Sequence, residues 1–139
     1  RHAERADTAP GANPTMAADP DLSEAGRARA ESLATALKDA KITAIYVTEY
    51  KRTQQTAAPL AKALGLTVTV MTSKSSAALV KQLEAVKGNV LVVGHSNSVP
   101  DVIKRLGATA PVTIGDDEFD NLFIVSSGTP PSVLRLHYR

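Results

Sequence analysis

Residues 42–47 read ITAIYV and residues 90–93 read VLVV, and these two apolar runs decide the fold class. Both are rich in β-branched residues and too short for a helix, so each predicts a strand buried on both faces. Segments with helical periodicity lie between and around them. The alternation predicts an α/β fold with a mostly parallel sheet and helices on both faces.

Four segments show apolar residues at helical spacing, namely residues 23–40, 50–64, 76–87 and 98–106. Ser23 and Ser98 stand where an N-cap is expected, and Gly65 and Gly88 stand where two of the helices should stop. Pro59 lies inside the second segment, so we expect it to kink or restart that helix.

The remaining segments predict one more parallel strand, a closing hairpin and a long loop. Residues 67–70 (TVTV) predict the strand, and residues 122–126 and 133–137 predict the antiparallel hairpin. Residues 5–22, rich in Pro, Gly and Asn, predict a loop of the kind that often covers a site. Because no apolar run precedes Arg1, we interpret residues 1–139 as one domain whose first strand lies upstream.

The composition excludes several classes of function. The chain has 139 residues and a mass of 14.6 kDa, with 43% hydrophobic residues, enough for one core of its own. It has no cysteine, so disulfides and cysteine nucleophiles are excluded. A net charge of +2 and only 4% aromatic residues predict no nucleic-acid partner. No apolar stretch approaches membrane-spanning length. Localisation, cytoplasmic or exported, and oligomeric state stay open.

Basic side chains follow the predicted strands at one edge of the sheet. Arg1 and His2 come where an upstream strand would end, residues 48–52 follow ITAIYV, and His95 follows VLVV. Because the carboxyl ends of parallel strands meet at one edge, we expect two histidines and two arginines, Arg1 and Arg52, to converge there.

Such a group of side chains suits phosphoryl transfer. Guanidinium groups offer forked donors that match phosphate oxygens, and a neutral imidazole is a competent nucleophile toward phosphorus. The transfer itself needs mainly positioning and neutralisation of charge on the phosphoryl oxygens. The leaving oxygen then needs a proton, so a carboxylic acid should stand close by.

Four short motifs carry a resemblance to a known family: RHAE at residues 1–4, LSEAG at 22–26, TEYKRTQQTA at 48–57 and GHSN at 94–97. They resemble, in order and spacing, the RHG signature, the L-[ST]-x-x-G stretch, the S-x-x-x-R-x-x-x-T-A element and the second GH motif of the histidine phosphatase superfamily. The resemblance implies the phosphoglycerate mutase-like fold.

The resemblance also implies an activity and a set of roles. It implies a metal-independent phosphomonoesterase in which His2 is the nucleophile and becomes phosphohistidine. Arg1, Arg52 and His95 would complete the phosphate pocket, and Ser96 and Asn97 would contact the substrate. We expect no metal and no other cofactor.

The general acid is the member that the resemblance does not assign. Residues 71–83, where mutase-type members carry it, contain no Asp or Glu, and Ser96 stands where acid phosphatases have an Asp directly after the second histidine. Glu49 lies three residues before Arg52 and is our first candidate. Glu4 is the second candidate and Asp7 the third.

Three functions remain open at this stage. The short chain leaves little to cover the site, which favours a phosphatase that acts on a phosphorylated small molecule or a phosphoprotein, as the short phosphohistidine phosphatases do. A non-catalytic module that binds phosphate or a phosphoprotein is the alternative, and a mutase-like phosphotransferase is a weaker one. We interpret His137 as a structural or surface residue and the acidic residues 116–120 as a solvated loop.

Overall fold

The computed structural model describes residues 1–8 and 19–139. Its helices are α1 (Glu24–Leu37), α2 (Lys51–Leu64), α3 (Ser76–Ala85) and α4 (Ser98–Arg105). Its strands are β1 (Ile42–Thr48), β2 (Thr69–Met71), β3 (Asn89–Val93), β4 (Asn121–Ser126) and β5 (Ser132–His137). None of the helices in this described part is long and apolar enough to cross a membrane.

The strands form a parallel sheet and a separate antiparallel hairpin, as predicted. The parallel sheet has the order β2-β1-β3. Val47 of β1 pairs with Val70 on one side and Val93 on the other, so the three strands end at nearly the same level. Strands β4 and β5 pair over six residues each in a second sheet. The aligned carboxyl ends form the edge of the sheet at which the two histidines and two arginines were expected to meet.

Helices cover both faces of the parallel sheet. Ile45 and Val47 of β1 pack with α1 and α2, where Leu60 is completely buried. Tyr46, which points to the opposite face, packs with α3 and α4 through Leu79 and its neighbours. Each fully buried side chain of this size contributes about 1.5 to 3 kcal/mol, so the two clusters stabilise the sheet from both faces.

Helix α2 runs without a break through Pro59 and ends at Leu64, with Gly65 as its C-cap. The expected restart of the helix at this proline is therefore wrong. The proline ring removes only one backbone donor, and the helix face that carries Ala57 and Leu60 is completely buried, so packing outweighs that loss. Gly65 adopts the left-handed conformation, with φ +66°, and closes the helix as predicted.

Other element boundaries shift by one to three residues from the predictions, the largest shift being at the end of α1, which stops at Leu37 rather than at residue 40. Strand β2 begins at Thr69 rather than at residue 67, and α3 ends at Ala85. Helix α4 begins at Ser98, with Asn97 in the N-cap position. The Ser98 hydroxyl instead accepts a hydrogen bond of 2.9 Å from the backbone N–H of His95. Ser98, predicted as the N-cap of this helix, therefore holds the backbone of His95 instead.

The predicted loop at residues 5–22 is described only at its two ends, because residues 9–18 lie outside the described residues. Ala6–Thr8 form a short 3-10 turn. Arg5 and Leu22 pair as an isolated antiparallel bridge, so the two ends of the segment run side by side.

The first turn of α1 holds the backbone that follows His2. Ser23 caps this helix, as predicted, by accepting a hydrogen bond of 3.0 Å from Gly26 N–H, and its own N–H donates to the carbonyl of Glu4 over 2.9 Å. A Cβ atom on Gly26 would lie 2.2 Å from that carbonyl oxygen. The glycine is therefore required by the close approach of two backbones.

We predict that Gly26→Ala destabilises the protein by about 1 to 3 kcal/mol, because its methyl group overlaps a backbone atom that cannot rotate away. Urea unfolding measures the change, with Ala28→Ser on the exposed side of the same helix as the control. An unchanged unfolding midpoint for Gly26→Ala would show that the two backbones separate at no cost.

Candidate active site

A cavity of about 530 Å³ opens at the carboxyl edge of the parallel sheet. The structure brings Arg1, His2, Arg52 and His95 together in its wall, along with Ser96 and Asn97. The other residues that line the cavity are Arg5, Thr8, Tyr50, Ser73, Lys74, Asp116 and Phe119. The edge predicted from the strand pattern is thus the place where these side chains meet.

His2 is held by backbone groups on both sides. Its N–H donates to the carbonyl of Gly94 over 2.9 Å, which fastens it to the end of β3. Its ring Nδ1 lies 2.7 Å from the carbonyl oxygen of Ala3. A carbonyl only accepts, so Nδ1 carries the proton and the lone pair remains on Nε2. The backbone contact therefore selects the tautomer that can act as a nucleophile through Nε2.

Helix α2 supports the same segment through a threonine. The N–H of Ala3 donates to the Thr56 hydroxyl over 2.9 Å, and that hydroxyl donates to the carbonyl of Arg52 over 2.7 Å. Ala3 and Thr56 are both completely buried. Thr56, within the motif at residues 48–57, therefore supports the backbone next to His2.

Burial keeps the His2 ring neutral. Only 2% of the residue is exposed, and loss of hydration is the main cause that lowers its pKa to about 3. The positive charges of Arg1 and Arg52 and the neighbouring ring of His95 lower this pKa further, while the hydrogen bond to Ala3 opposes the shift. At neutral pH the ring is unprotonated at Nε2 and can attack an electrophile.

Arg1 is anchored to the loop before β4. Its Nη1 donates to three carbonyl oxygens, those of Gly115, Asp116 and Glu118, over 2.9 to 3.1 Å. The guanidinium carbon lies 4.3 Å from the ring centre of Phe119, a cation–π contact. Burial is the main cause that lowers the pKa of Arg1. The buried Nε of Arg1 has no hydrogen-bond partner among the described residues.

Arg52, in the first turn of α2, lines the same cavity and also stacks on an aromatic ring. Its guanidinium carbon lies 4.3 Å from the ring centre of Tyr50, and its buried Nε and Nη1 have no partner in the described part of the chain. Burial is the main cause that lowers its pKa. An unpaired buried donor costs about 1 to 3 kcal/mol, and more when charged. Two rigid guanidinium groups with unpaired donors suit a bound oxyanion such as phosphate.

The His95 ring lies in edge contact with the His2 ring, with a distance of 5.4 Å between ring centres. Its Nε2 lies 2.9 Å from the Thr48 hydroxyl at the end of β1. Burial is the main cause that lowers the pKa of His95 to about 4; the charges of Arg52 and Arg1 add to the shift, and Glu49 opposes it. The ring is therefore neutral at physiological pH.

The three carboxylates proposed as the general acid are not among the described residues that line the cavity, and each is held by a hydrogen-bond partner. The Glu49 carboxylate accepts from the N–H and the hydroxyl of Ser73 over 2.7 and 2.9 Å. Burial alone would raise the pKa of Glu49, but hydrogen bonds from its own backbone and from Ser73 lower it overall. For Glu4, burial alone would likewise raise the pKa, but the hydrogen bonds from Arg29 lower it overall. The Arg5 hydrogen bond lowers the pKa of Asp7.

The structure adds residues that the sequence reasoning did not select. Tyr50 lies within the recognised stretch at 48–57 and could have been noticed as a partner for Arg52. Asp116 and Phe119, far away in the sequence, carried no signal. Asp116, interpreted above as part of a solvated loop, is the one carboxylate among the described residues that line the cavity. In the described ranges, no three His, Asp or Glu side chains are grouped to hold a metal ion.

Comparison with known proteins identifies the family. A family model described as the histidine phosphatase superfamily (branch 1) matches residues 1–73, more than half of the chain. The chain belongs to the histidine phosphatase superfamily. It is thus a phosphatase of the histidine phosphatase type, and the matched residues include Arg1, His2 and Arg52. No curated protein sequence matches this histidine phosphatase.

Solved structures share the fold of this histidine phosphatase. The protein histidine phosphatase SixA, complexed with tungstate, is 19% identical with a TM-score of 0.72, and the match covers 99% of this chain and 93% of SixA. Mycobacterial glucosyl-3-phosphoglycerate phosphatase, complexed with VO3, is 16% identical with a TM-score of 0.71 over 97% and 94% of the two chains. The putative SixA of Agrobacterium tumefaciens is 24% identical with a TM-score of 0.57 over 76% and 72%.

The two buried histidines predict that this histidine phosphatase loses stability in acid. The unfolded chain binds a proton at each histidine below about pH 6.5, whereas the folded protein does so only near the lowered pKa values. The free energy of unfolding should therefore fall, as pH drops from about 6.5 to about 4, by up to about 1.4 kcal/mol per pH unit for each histidine.

Urea unfolding at several pH values, without phosphate, measures this slope. His95→Gln should reduce it, whereas His137→Gln, which replaces an exposed histidine on β5, is the matched control. Equal slopes in the parent and in His95→Gln would contradict the assignment of a buried neutral ring at position 95.

Proposed function

We propose that the protein hydrolyses phosphomonoesters without a metal ion, through a phosphohistidine intermediate on His2. The observation that supports this most directly is the backbone lock on the His2 ring. The proton on Nδ1 is fixed by the carbonyl of Ala3, so Nε2 is the ring nitrogen left for attack. The same ring lines a cavity whose two arginines have buried donors without partners among the described residues.

The chemistry would run in two displacements. In the first, the Nε2 lone pair of His2 forms a bond to phosphorus, the bond from phosphorus to the leaving oxygen breaks, and that oxygen takes up a proton. In the second, a water oxygen attacks phosphorus and loses a proton, while the electrons of the P–N bond return to Nε2. Arg1 and Arg52 would neutralise the non-bridging oxygens in both steps.

The site supports a phosphorylated small molecule or a phosphoprotein as the substrate. The cavity of about 530 Å³ is larger than a phosphate group needs, and Arg5 and Lys74 add positive charge to its wall. Among proteins of the same fold, the name of SixA designates a protein histidine phosphatase, and the mycobacterial enzyme is named for glucosyl-3-phosphoglycerate. The substrates of those proteins are starting points for the search here.

The decisive experiment measures hydrolysis of p-nitrophenyl phosphate in excess EDTA. Release in the parent should resist EDTA, and His2→Ala should lower kcat by about a thousandfold or more, since the covalent route is lost. Arg52→Ala should mainly raise KM, because one side of the phosphate loses its forked donor. His137→Ala, on an exposed strand, is the control for replacing a histidine.

Three outcomes would overturn this proposal. Activity that survives in a folded His2→Ala variant would contradict the phosphohistidine route. A folded parent that binds inorganic phosphate but releases no nitrophenol would favour the non-catalytic binding module. Transfer of the phosphoryl group to a second organic hydroxyl, with no free phosphate released, would favour the mutase-like alternative.

A leaving-group series tests which carboxylate supplies the proton. Because Ser73 holds the Glu49 carboxylate, we expect Glu49→Gln to slow p-nitrophenyl phosphate and an alkyl phosphate equally. Asp116→Asn, which alters the cavity-lining carboxylate, should slow the alkyl ester by about a hundredfold and the nitrophenyl ester far less, because nitrophenolate leaves without a proton. A selective loss for the alkyl ester in Glu49→Gln would instead return Glu49 to the role of acid.

A further inference from the structure

A chain of hydroxyl groups leads from His95 into the protein interior. The Thr48 hydroxyl lies 2.9 Å from His95 Nε2 and 2.9 Å from the Thr53 hydroxyl. Thr53 is completely buried, and Thr48 and His95 are each only 8% exposed. Every hydrogen in this chain must therefore be placed among groups of the protein.

At the Thr53 end of this series of hydroxyl groups, the direction of the hydrogen bonds is fixed. The Thr53 hydroxyl lies 3.0 Å from the carbonyl oxygen of Thr48 and 2.9 Å from that of Tyr50, and carbonyls only accept. Its single hydrogen is committed to them. The same oxygen already accepts from the Thr48 N–H over 3.1 Å. At its contact with the Thr48 hydroxyl, Thr53 can therefore only accept.

The direction of the hydrogen bond at Thr53 determines which nitrogen of His95 carries a proton. The Thr48 hydroxyl has one hydrogen, and it donates that hydrogen to Thr53, so toward His95 its oxygen can only accept. His95 Nε2 must then carry a proton. In the neutral ring the lone pair lies on Nδ1, which has no hydrogen-bond partner among the described residues.

We propose that Thr48 and Thr53 fix His95 as the Nε2–H tautomer, and that His95 therefore takes up one proton on Nδ1 when a phosphoryl group binds. The inference rests on the proposed function only in assuming that the cavity binds phosphate. A bare lone pair on Nδ1 repels a phosphoryl oxygen, whereas an N–H at that atom donates to it. The proton comes from solvent, or from the substrate itself when the ester binds as its monoanion.

The charges around His95 agree with this coupling. The groups that act on it are the guanidinium groups of Arg1 and Arg52, the carboxylate of Glu49 and the neighbouring rings of His2 and Tyr50. In the empty site, burial and the positive groups lower the pKa of His95 to about 4. A bound group with two negative charges reverses that field and raises the pKa of the ring.

The proposal makes Thr48 a positioning residue with a particular signature. In Thr48→Val, which keeps the side-chain shape, Nε2 loses its acceptor, and the neutral ring can move its proton to Nδ1. It can then donate to a phosphoryl oxygen without taking up a proton. A purely structural role for Thr48 would weaken binding but leave the number of protons taken up unchanged.

Calorimetric titration with tungstate, which stays a dianion at neutral pH, measures this number directly in buffers of different ionisation enthalpy. The parent and Thr48→Ser should each take up close to one proton per tungstate, and Thr48→Val should take up far less than half a proton, with binding weakened about tenfold. The His2→Ala variant, titrated in parallel, should keep the uptake, which separates His95 from His2 as the acceptor.

A second measurement does not depend on binding. Nitrogen-proton correlation spectra of the ligand-free protein at neutral pH should show the His95 proton on Nε2 in the parent and in Thr48→Ser. Three results would each overturn the proposal. They are a proton uptake near zero when the parent binds tungstate, a His95 proton on Nδ1 in the ligand-free parent, and a proton uptake in Thr48→Val equal to that of the parent. No turnover is measured, so a failure of hydrolysis leaves these results intact, whereas failure of tungstate to bind would contradict the phosphate cavity itself.

Discussion

The backbone hydrogen bond from the N–H of His2 to the carbonyl of Gly94 places two distant segments side by side, and the rest of the site depends on it. Gly94 directly follows β3 and precedes His95, so this bond brings the backbones of the two histidines close together. Thr56 then holds the next backbone N–H, and the Glu4 carbonyl is held by α1. Directional hydrogen bonds to the backbone of residues 2–4 therefore position the His2 ring.

The electrostatics of the cavity follow from burying several cationic or basic groups together. Arg1 and Arg52 are each stacked on an aromatic ring, and some of their donors have no partner in the described ranges. This arrangement costs free energy in the empty protein, and a bound oxyanion offsets the cost. Ligand binding and folding stability are therefore linked, so phosphate should protect the protein against unfolding.

The apolar runs at residues 42–47 and 90–93 were enough to predict the sheet, because strands buried on both faces have little freedom of placement. The sheet edge, and with it the meeting of His2 and His95, followed from that topology. The position of Asp116 at the cavity could not be predicted from the sequence. It depends on hydrogen bonds from Arg1 to carbonyls of the loop that contains Asp116, and these residues lie more than a hundred positions apart in the sequence. Glu49 was selected for its nearness to Arg52, and no local pattern reveals that Ser73 holds its carboxylate.

The contacts between Arg1 and the carbonyls of Gly115, Asp116 and Glu118 join residues 114 to 117 positions apart. During synthesis, Arg1 leaves the ribosome long before its partners exist. The lining of the cavity is then completed only once the chain has been translated past Phe119. A nascent chain that has made the whole parallel sheet still lacks one wall of the cavity, so activity in a growing chain should appear late and abruptly.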